Sequence, residues 1–523
     1  MKVKNIILSC LALFMTLGCA DFLEEKPRDL VAPENFFASE SDARQAVTGL
    51  YAILKNNSIY GQVGLDHFYD NGADIIEPNR NASFVEPIGS YSLDEGLADR
   101  SVQKMSVSDT WKDFYKIILN ANIILDRVEG NAAITQAAQT DIIADVMFVR
   151  SLVYWHITNL WGDAPYYRDP LSIDEIRVLG RTSKQTIIND ILVDLQFAQD
   201  NLPRRDEIPD SQRGRASKWC AALVMAKIYM TENQWQNGLN KCLEIINGSS
   251  HQLLPTFAEV FDTDNEYNAE IIWSLDFAKD IRGQFEEGVP RLSGNGNWRP
   301  SMFNPRLRDE PLNSSERSAL GAALAARGEQ FNGTGLQICT QGYADSFAPN
   351  DLRKATVVMD NYLGFDLVFP YMTKFTNFDF NISPRFNHED NRMVFRLADV
   401  YLMAAECENE VNGPANAYQY IHPIRERSFD LQADWELTGL DQQGFREAIY
   451  DERRWELAGE AWRRYDLIRW GILLDVVKAQ TYRTYVNAPL NIKPYHVLLP
   501  IPLTELQTNP ALLESDPTNN GYR

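Results

Sequence analysis

The densest run of groups able to do chemistry lies toward the C-terminal end. Glu452, Glu456 and Glu460 recur every four residues, so on a helix they share one face, with Arg453, Arg463, Asp466 and Arg469 interleaved. Paired carboxylates serve as general acid and base when they face a cleft and titrate apart. Nothing around this run marks a cleft, and the same spacing is expected of a paired network that ties the last helix to a scaffold. Asp262-Thr-Asp264-Asn-Glu266-Tyr-Asn268 alternates oxygen ligands like a calcium loop. It lacks the glycine at the sixth position and the glutamate at the twelfth, and reads as a solvated polar turn. The six histidines never approach HExxH or HxH spacing, so no metal site is expected. There is no GxSxG, P-loop or GxGxxG, hence no motif for a nucleophilic or nucleotide-using enzyme and no cofactor.

A second kind of chemistry is non-covalent. Sugar rings offer apolar C–H faces that stack on aromatic side chains, and hydroxyls that pair with carboxylates, amides and arginine. Gly64–Asp74 mixes both, with Phe68, Tyr69, Asp70, Asn71 and Asp74 as candidates. The alternative is that Phe68 and Tyr69 are core and Asp70-Asn71-Gly72 a turn. Trp298 sits in Gly294-Asn-Gly-Asn-Trp-Arg-Pro300, a poor core segment. It either packs inward to pin the loop or stands out as a platform, with Phe303 as companion. Arg392 is a further candidate for a hydroxyl or carboxylate contact.

One cysteine stands apart. Lys2 and Lys4 precede the apolar run Ile6–Leu17, closed by Gly18-Cys19 and followed by acidic Asp21–Glu25. The run is too short to span a bilayer and reads as a secretory signal. It resembles a bacterial lipoprotein signal: residues 1–18 are removed and Cys19 is acylated as the new N-terminus, although Thr16 and Leu17 stand in swapped order relative to the usual box. Two or more acyl chains anchor stably where one is marginal. Loss of Lys2 and Lys4 moves the formal charge from -22 to -24. So acidic a surface argues against nucleic acid and against charge-driven binding to anionic lipid. Cys220, Cys242, Cys339 and Cys407 are widely spaced without a CxxC pair, which fits neither a zinc cluster nor a disulfide framework. The first, second and fourth of these lie in apolar helical patterns, as small buried hydrophobes do.

The elements that must position these groups are mostly helical. Apolar residues at helical period predict helices over 41–56, from Trp111 through the next four turns, and over 141–161, 184–202, 216–231, 235–246, 392–410, 414–427 and 443–470. Ala226-Lys-Ile-Tyr229 and Ala398-Asp-Val-Tyr401 each precede a short turn and a second helix, the hairpin logic of tetratricopeptide repeats. Between Pro255 and Ile382 the chain turns rich in Gly, Asn, Asp and Pro, with short strands expected at 269–277 and 354–359. Long loops of this kind are functional or disordered, and the aromatics at 298, 303, 362, 365 and 369 argue against disorder.

Several motifs then agree in order: Trp111, Tyr115 and Asn122; Phe148-Val-Arg150 leading to Trp161-Gly162-Asp163-Ala164-Pro165; Arg396-Leu-Ala-Asp399-Val-Tyr401-Leu402 with Glu406; and Glu452-Arg453-Arg454 through Glu456-Leu457, Glu460, Arg463, Asp466 and Arg469-Trp470-Gly471. With Leu499-Pro500-Ile501-Pro502 and Asn519-Asn520-Gly521-Tyr522, this order resembles the SusD/RagB family of surface nutrient-binding lipoproteins over nearly all of the mature chain. The resemblance implies a mainly α fold, a tetratricopeptide-like helical-hairpin superhelix of about four units with a loop-rich region holding short strands. It divides the chain into a signal (1–18), an N-terminal helical region (19–250), a variable ligand region (251–390) and a C-terminal helical region (391–523). It further implies an oligosaccharide ligand, no catalytic activity, a lipid anchor at the outer-membrane surface, and a SusC-like TonB-dependent barrel over which the protein sits as a lid. Some family members handle peptides instead. A helical glycoside hydrolase is the enzymatic rival and needs two facing carboxylates in a groove.

Overall fold

The computed structural model describes residues 37–61, 64–78, 86–100, 106–278, 296–307, 310–328, 333–377 and 388–523. The signal, Cys19 and the acidic run after it lie outside these. Among the described residues the scaffold is built from helices α1 (Glu40–Leu54), α2 (Val107–Val128), α3 (Gln136–Trp161), α4 (Lys184–Asn201), α5 (Lys218–Thr231), α6 (Trp235–Gly248), α7 (Leu397–Asn412), α8 (Pro414–Glu426), α9 (Gln442–Glu456) and α10 (Arg463–Arg469). Their ends are chemically marked. Ser39, Ser106, Thr135, Ser183 and Asp441 each accept a backbone N–H of the first turn, and Gly162 and Gly413 close α3 and α7 with φ of 72° and 81°.

Each of α2 to α6 packs against its neighbours in the chain, and α7 packs against α8 and α9. The array is unbroken at α6, which lies against α7 although some 150 residues separate them. Gly238 permits that approach, since a Cβ there would meet Cys407 Sγ at 3.0 Å and Met230 Cγ at 3.1 Å. The fold is therefore mainly α, with the loop-rich stretch returned between two packed helices. Among the described residues no helix is long and apolar enough to cross a membrane. Cys220, Cys242, Cys339 and Cys407 are all free and buried.

The few strands form two small sheets. Strands β1 (Ile76–Glu77), β3 (Ile338–Cys339), β5 (Phe365–Met372) and β4 (Val358–Tyr362) lie in that spatial order, while β2 (Ile271–Leu275) pairs antiparallel with β6 (Arg392–Arg396). Two expectations are corrected here. Residues 392–396 are not the start of a helix but strand β6, buried along its length except at Met393, and α7 begins at Leu397. Nor is 443–470 one helix: α9 stops at Glu456 and α10 starts at Arg463. Between them Gly459 and Ala461 take φ of 75° and 66°, the second uncommon for a residue with a Cβ. The Ala461 N–H is held there by Asp70 Oδ2 at 2.8 Å.

That turn exists because the charged run is a buried network. Arg396, at the end of β6, donates to Glu270 (2.9 Å), Glu456 (2.6 Å) and Glu460 (2.8 Å). Arg427 joins Glu270 to Glu456, and Arg353 reaches Asp351, Glu452 and Glu456. Arg453 bridges Asp399 and Asp466. Burial alone would raise the Glu456 carboxyl, but Arg427, Arg396 and Arg353 pull it far below the usual carboxylate range. Such networks gain little over apolar packing, yet removing one partner strands a buried charge. The carboxylates of 452–466 thus hold β2, β6 and the C-terminal helices together.

Candidate functional site

The residues singled out as ligand contacts are placed inside the protein. Phe68 and Tyr69 close the short helix Gly64–Tyr69 and are buried in the main core. Tyr69 Oη meets His156 Nδ1 at 3.1 Å while Tyr60 Oη meets Nε2 at 2.8 Å; burial lowers this imidazole to about 3. Asp70 accepts the backbone N–H of Ala461 and Arg463, and burial, with Asp66 nearby, pushes its carboxyl up to about 7. Asn71 bonds His67 at 2.9 Å. Asp74 takes a bidentate contact from Arg463 (2.7 and 2.8 Å) and a third from Arg454 (3.1 Å). Arg392 is bidentate to Asp66 (2.8 and 3.1 Å). Phe303 is fully buried and Trp298 is 6% exposed. All eight side chains are buried, and the polar ones have intramolecular partners. Trp298 packs inward and pins its loop.

What these residues surround is more informative. Their immediate neighbours line a cleft: Asn297, Arg299 and Pro300 beside Trp298, and Asn391 and Met393 beside Arg392. Lys374-Phe375-Thr376 and Phe261 to Glu266 form the other walls. Phe261 and Phe375 are half-buried, with ring centroids 5.6 Å apart and planes at 88°. The Arg299 guanidinium lies 3.7 Å from the Phe375 centroid and is itself fixed by Asp66 and the Gly459 carbonyl. Lys374 sits beneath, donating to the carbonyls of Glu456 (2.7 Å) and Ala458 (3.2 Å) and to Glu460. Burial lowers its ammonium to about 8.

The rim is polar and braced. Asn297 and His388 exchange backbone hydrogen bonds at 2.7 and 3.2 Å, Asn297 Nδ2 donates to the Asp390 carbonyl, and Asn377 Nδ2 holds both Asp390 carboxylate oxygens. Glu266 accepts the Asn391 N–H, and burial together with Asp390 raises it to about 7. The enclosed part measures about 70 Å³, room for little more than two waters. A larger molecule can lie across this cleft but cannot be enclosed by it. Two apolar ring faces beside amides and carboxylates suit a ligand with both C–H faces and hydroxyls. Phe261 and Phe375 were missed in the sequence, because neither carries the flanking Gly, Asn and Pro that singled out Trp298.

Comparison with known proteins places this geometry. Residues 349–522 match the SusD family, and residues 21–230 match the family described as starch-binding associating with outer membrane. The SusD-like protein P25 of Formosa agariphila is 67% identical over 530 residues, covering 100% of both chains. Among solved structures, a laminarin binding SusD-like protein superposes with a TM-score of 0.73 at 22% identity, over 90% of this chain and 98% of that one. Surface glycan-binding protein A from Bacteroides thetaiotaomicron, in complex with laminarihexaose, gives 0.72 at 17% identity, over 92% and 100%. Phe261, Glu266, Asn297 and Arg299 fall between the two matched stretches, so the larger part of the cleft comes from sequence that neither family description covers.

Proposed function

Because this chain belongs to the SusD family, we propose that it captures an oligosaccharide in the Phe261–Phe375 cleft and hands it to a TonB-dependent outer-membrane barrel, over which it acts as a lid. The observation that carries this reading is the half-buried aromatic pair set in a rim of Asn297, Glu266, Asp390 and Thr376. The relatives and neighbours named for binding laminarin or glycans support the ligand class. Capture proceeds by stacking on Phe375 and Phe261 with hydroxyls paired to the rim. Acylation at Cys19 supplies the anchor at the cell surface.

The role is binding without catalysis. The enzymatic alternative draws on one observation, two carboxyl groups at the same cleft, with Glu266 raised to about 7. Both are engaged, Glu266 by the Asn391 N–H and Asp390 by Asn377. Incubation with labelled polysaccharides distinguishes the two: the chain retains them intact, whereas new reducing ends would establish a hydrolase. Titration calorimetry with defined oligosaccharides tests the site, with Phe375→Ala expected to weaken binding while the protein stays folded.

A further inference from the structure

Three carboxylates recur at four-residue spacing, Asp66, Asp70 and Asp74, and all three are buried. Cations match the outer two: Asp66 meets Arg299 and Arg392, and Asp74 meets Arg463 and Arg454. The middle one differs. Among the described residues Asp70 forms no ion pair, and its two oxygens instead accept the backbone N–H groups of Ala461 (2.8 Å) and Arg463 (3.1 Å). A buried carboxylate held by amides alone takes up a proton more readily than one facing a guanidinium.

The charged and titratable groups around Asp70 are already engaged. Asp66, one turn earlier, opposes its charge, and Arg392 on β6 favours it but is paired to Asp66. Arg299 is likewise spent on Asp66, and the Arg463 side chain on Asp74. Arg464 of α10 donates to the carbonyls of Phe68 and His496. Glu460, in the turn, is taken by Arg396 and Lys374. His67 is kept neutral by burial, at about 3. Burial therefore prevails at Asp70, with Asp66 adding to it, and its carboxyl lies at about 7.

The turn that Asp70 holds backs the cleft. Gly459 and Ala461 both stand at positive φ. The Gly459 carbonyl accepts the Arg299 guanidinium, and the Glu456 and Ala458 carbonyls accept the Lys374 ammonium at 2.7 and 3.2 Å. A Cβ on Gly459 would lie 3.3 Å from the Phe375 ring, and Arg299 stacks on that ring at 3.7 Å. Phe375 is thus seated on a backbone turn, and on two cations fixed by that turn, whose conformation Asp70 sets from behind. A protonated carboxyl carries a hydroxyl donor in place of one acceptor. One of the two amides then loses its partner, and Ala461 loses the contact that keeps it in a conformation unfavourable to a Cβ.

We propose that Asp70 is a positioning residue of the cleft: its carboxylate sets the turn 457–461 and with it the seat of Phe375, and proton uptake by Asp70 loosens that seat and weakens glycan binding. This rests on the proposed glycan-binding role of the cleft. The competent form is the deprotonated one, so affinity is full above about pH 7 and declines below it. Linkage is reciprocal, so bound glycan expels a proton from Asp70 near neutrality.

The test titrates size-fractionated oligosaccharides of two to six units from laminarin, amylose, xylan and alginate into the mature protein, and follows the tightest from about pH 5.5 to about pH 8.5. Asp70→Asn keeps the shape but sets an NH2 group against one amide donor. A rim variant, Glu266→Gln with Asp390→Asn, removes the two carboxyl groups that titrate at the cleft itself. Phe375→Ala reports on the cleft. In wild type the affinity is expected to fall at least about fivefold toward acid. The rim variant keeps that step whatever its absolute affinity, and Asp70→Asn is flat at the acid-limb affinity of wild type. Calorimetry in buffers of different ionisation enthalpy finds proton release near pH 7 in wild type and in the rim variant, and none in Asp70→Asn. A flat profile in the rim variant, or a step that persists in Asp70→Asn, overturns the role of Asp70 and leaves the cleft. Should Asp70→Asn not fold, the rim variant decides alone, a flat profile overturning the proposal and a retained step with proton release supporting it. Unimpaired binding by Phe375→Ala, or no binding of any oligosaccharide at any pH, overturns the glycan reading of the cleft instead.

Discussion

Asp74→Ala separates a structural residue from a ligand contact at a position the sequence offered as the latter. The Asp74 side chain is 5% exposed and neutralises Arg463 and Arg454 through three contacts of 2.7–3.1 Å. Truncation leaves two guanidinium groups without their carboxylate in the interior, and breaking a buried pair in this way costs about 3–5 kcal/mol. The unfolding entropy of ~2.1 cal/mol/K per residue puts a chain of this size near ~1 kcal/mol/K, so the midpoint falls by about 3–5 °C. Arg463 and Arg454 outweigh burial and depress the Asp74 carboxyl. A depressed carboxyl contributes stability above its unfolded value, near ~3.9, and loses it as pH falls through the folded value. The gap between wild type and variant is therefore constant from about pH 5 to 8 and closes below about pH 4. Differential scanning calorimetry across pH reads both effects, and titration with glycan reads the third: undiminished affinity. A midpoint within about 1 °C of wild type together with lost glycan binding would refute this reasoning and return Asp74 to the ligand site.

Other expectations are as specific. Gly72 has φ of 77° and a Cβ there would lie 2.8 Å from the Gly89 Cα, so Gly72→Ala destabilises by about 1–3 kcal/mol, measured by urea denaturation. Glu266 has its folded value raised to about 7; the folded state then binds the proton more tightly than the unfolded, and stability falls as pH rises from about 4.5 to 7. Glu266→Gln removes that loss, raising the melting temperature at pH 8 but not at pH 4. Mass spectrometry of the mature protein finds an acylated N-terminal Cys19, and Cys19→Ala releases the protein from membranes.

The scaffold was legible because periodicity is a direct consequence of burying one helix face, and α2, α6 and α9 show it strongly, while α3 and α5 are apolar and buried nearly all round. The charged run was legible as a network because its spacing offered partners without a cleft. Strand β6 was not, since Arg392 to Arg396 runs without punctuation into the apolar period of α7, and only pairing with β2 decides its conformation. The break at Gly459 and Ala461 also escaped, as it depends on Asp70, some 390 residues earlier in the chain. The cleft was half legible. Trp298 and Phe375 both lie in the loop-rich stretch, yet the first is buried and the second half-buried. Trp298 leads into the short helix Arg299–Phe303 and is buried in a cluster with Met302, Phe303 and Leu336. Phe375 follows β5 and stays half-buried at the cleft. Composition marked the right neighbourhood, and tertiary contacts chose which residues in it face outward.

The central claim is that glycan rests on the Phe261–Phe375 pair. Isothermal titration of wild type and Phe375→Ala with the tightest oligosaccharide of the panel tests it most directly. Loss of one stacking ring is expected to cost about 1–2 kcal/mol, or roughly tenfold or more in affinity, with the melting temperature changed by no more than about 2 °C. Equal affinity in the two proteins would contradict the account and move the glycan away from this cleft.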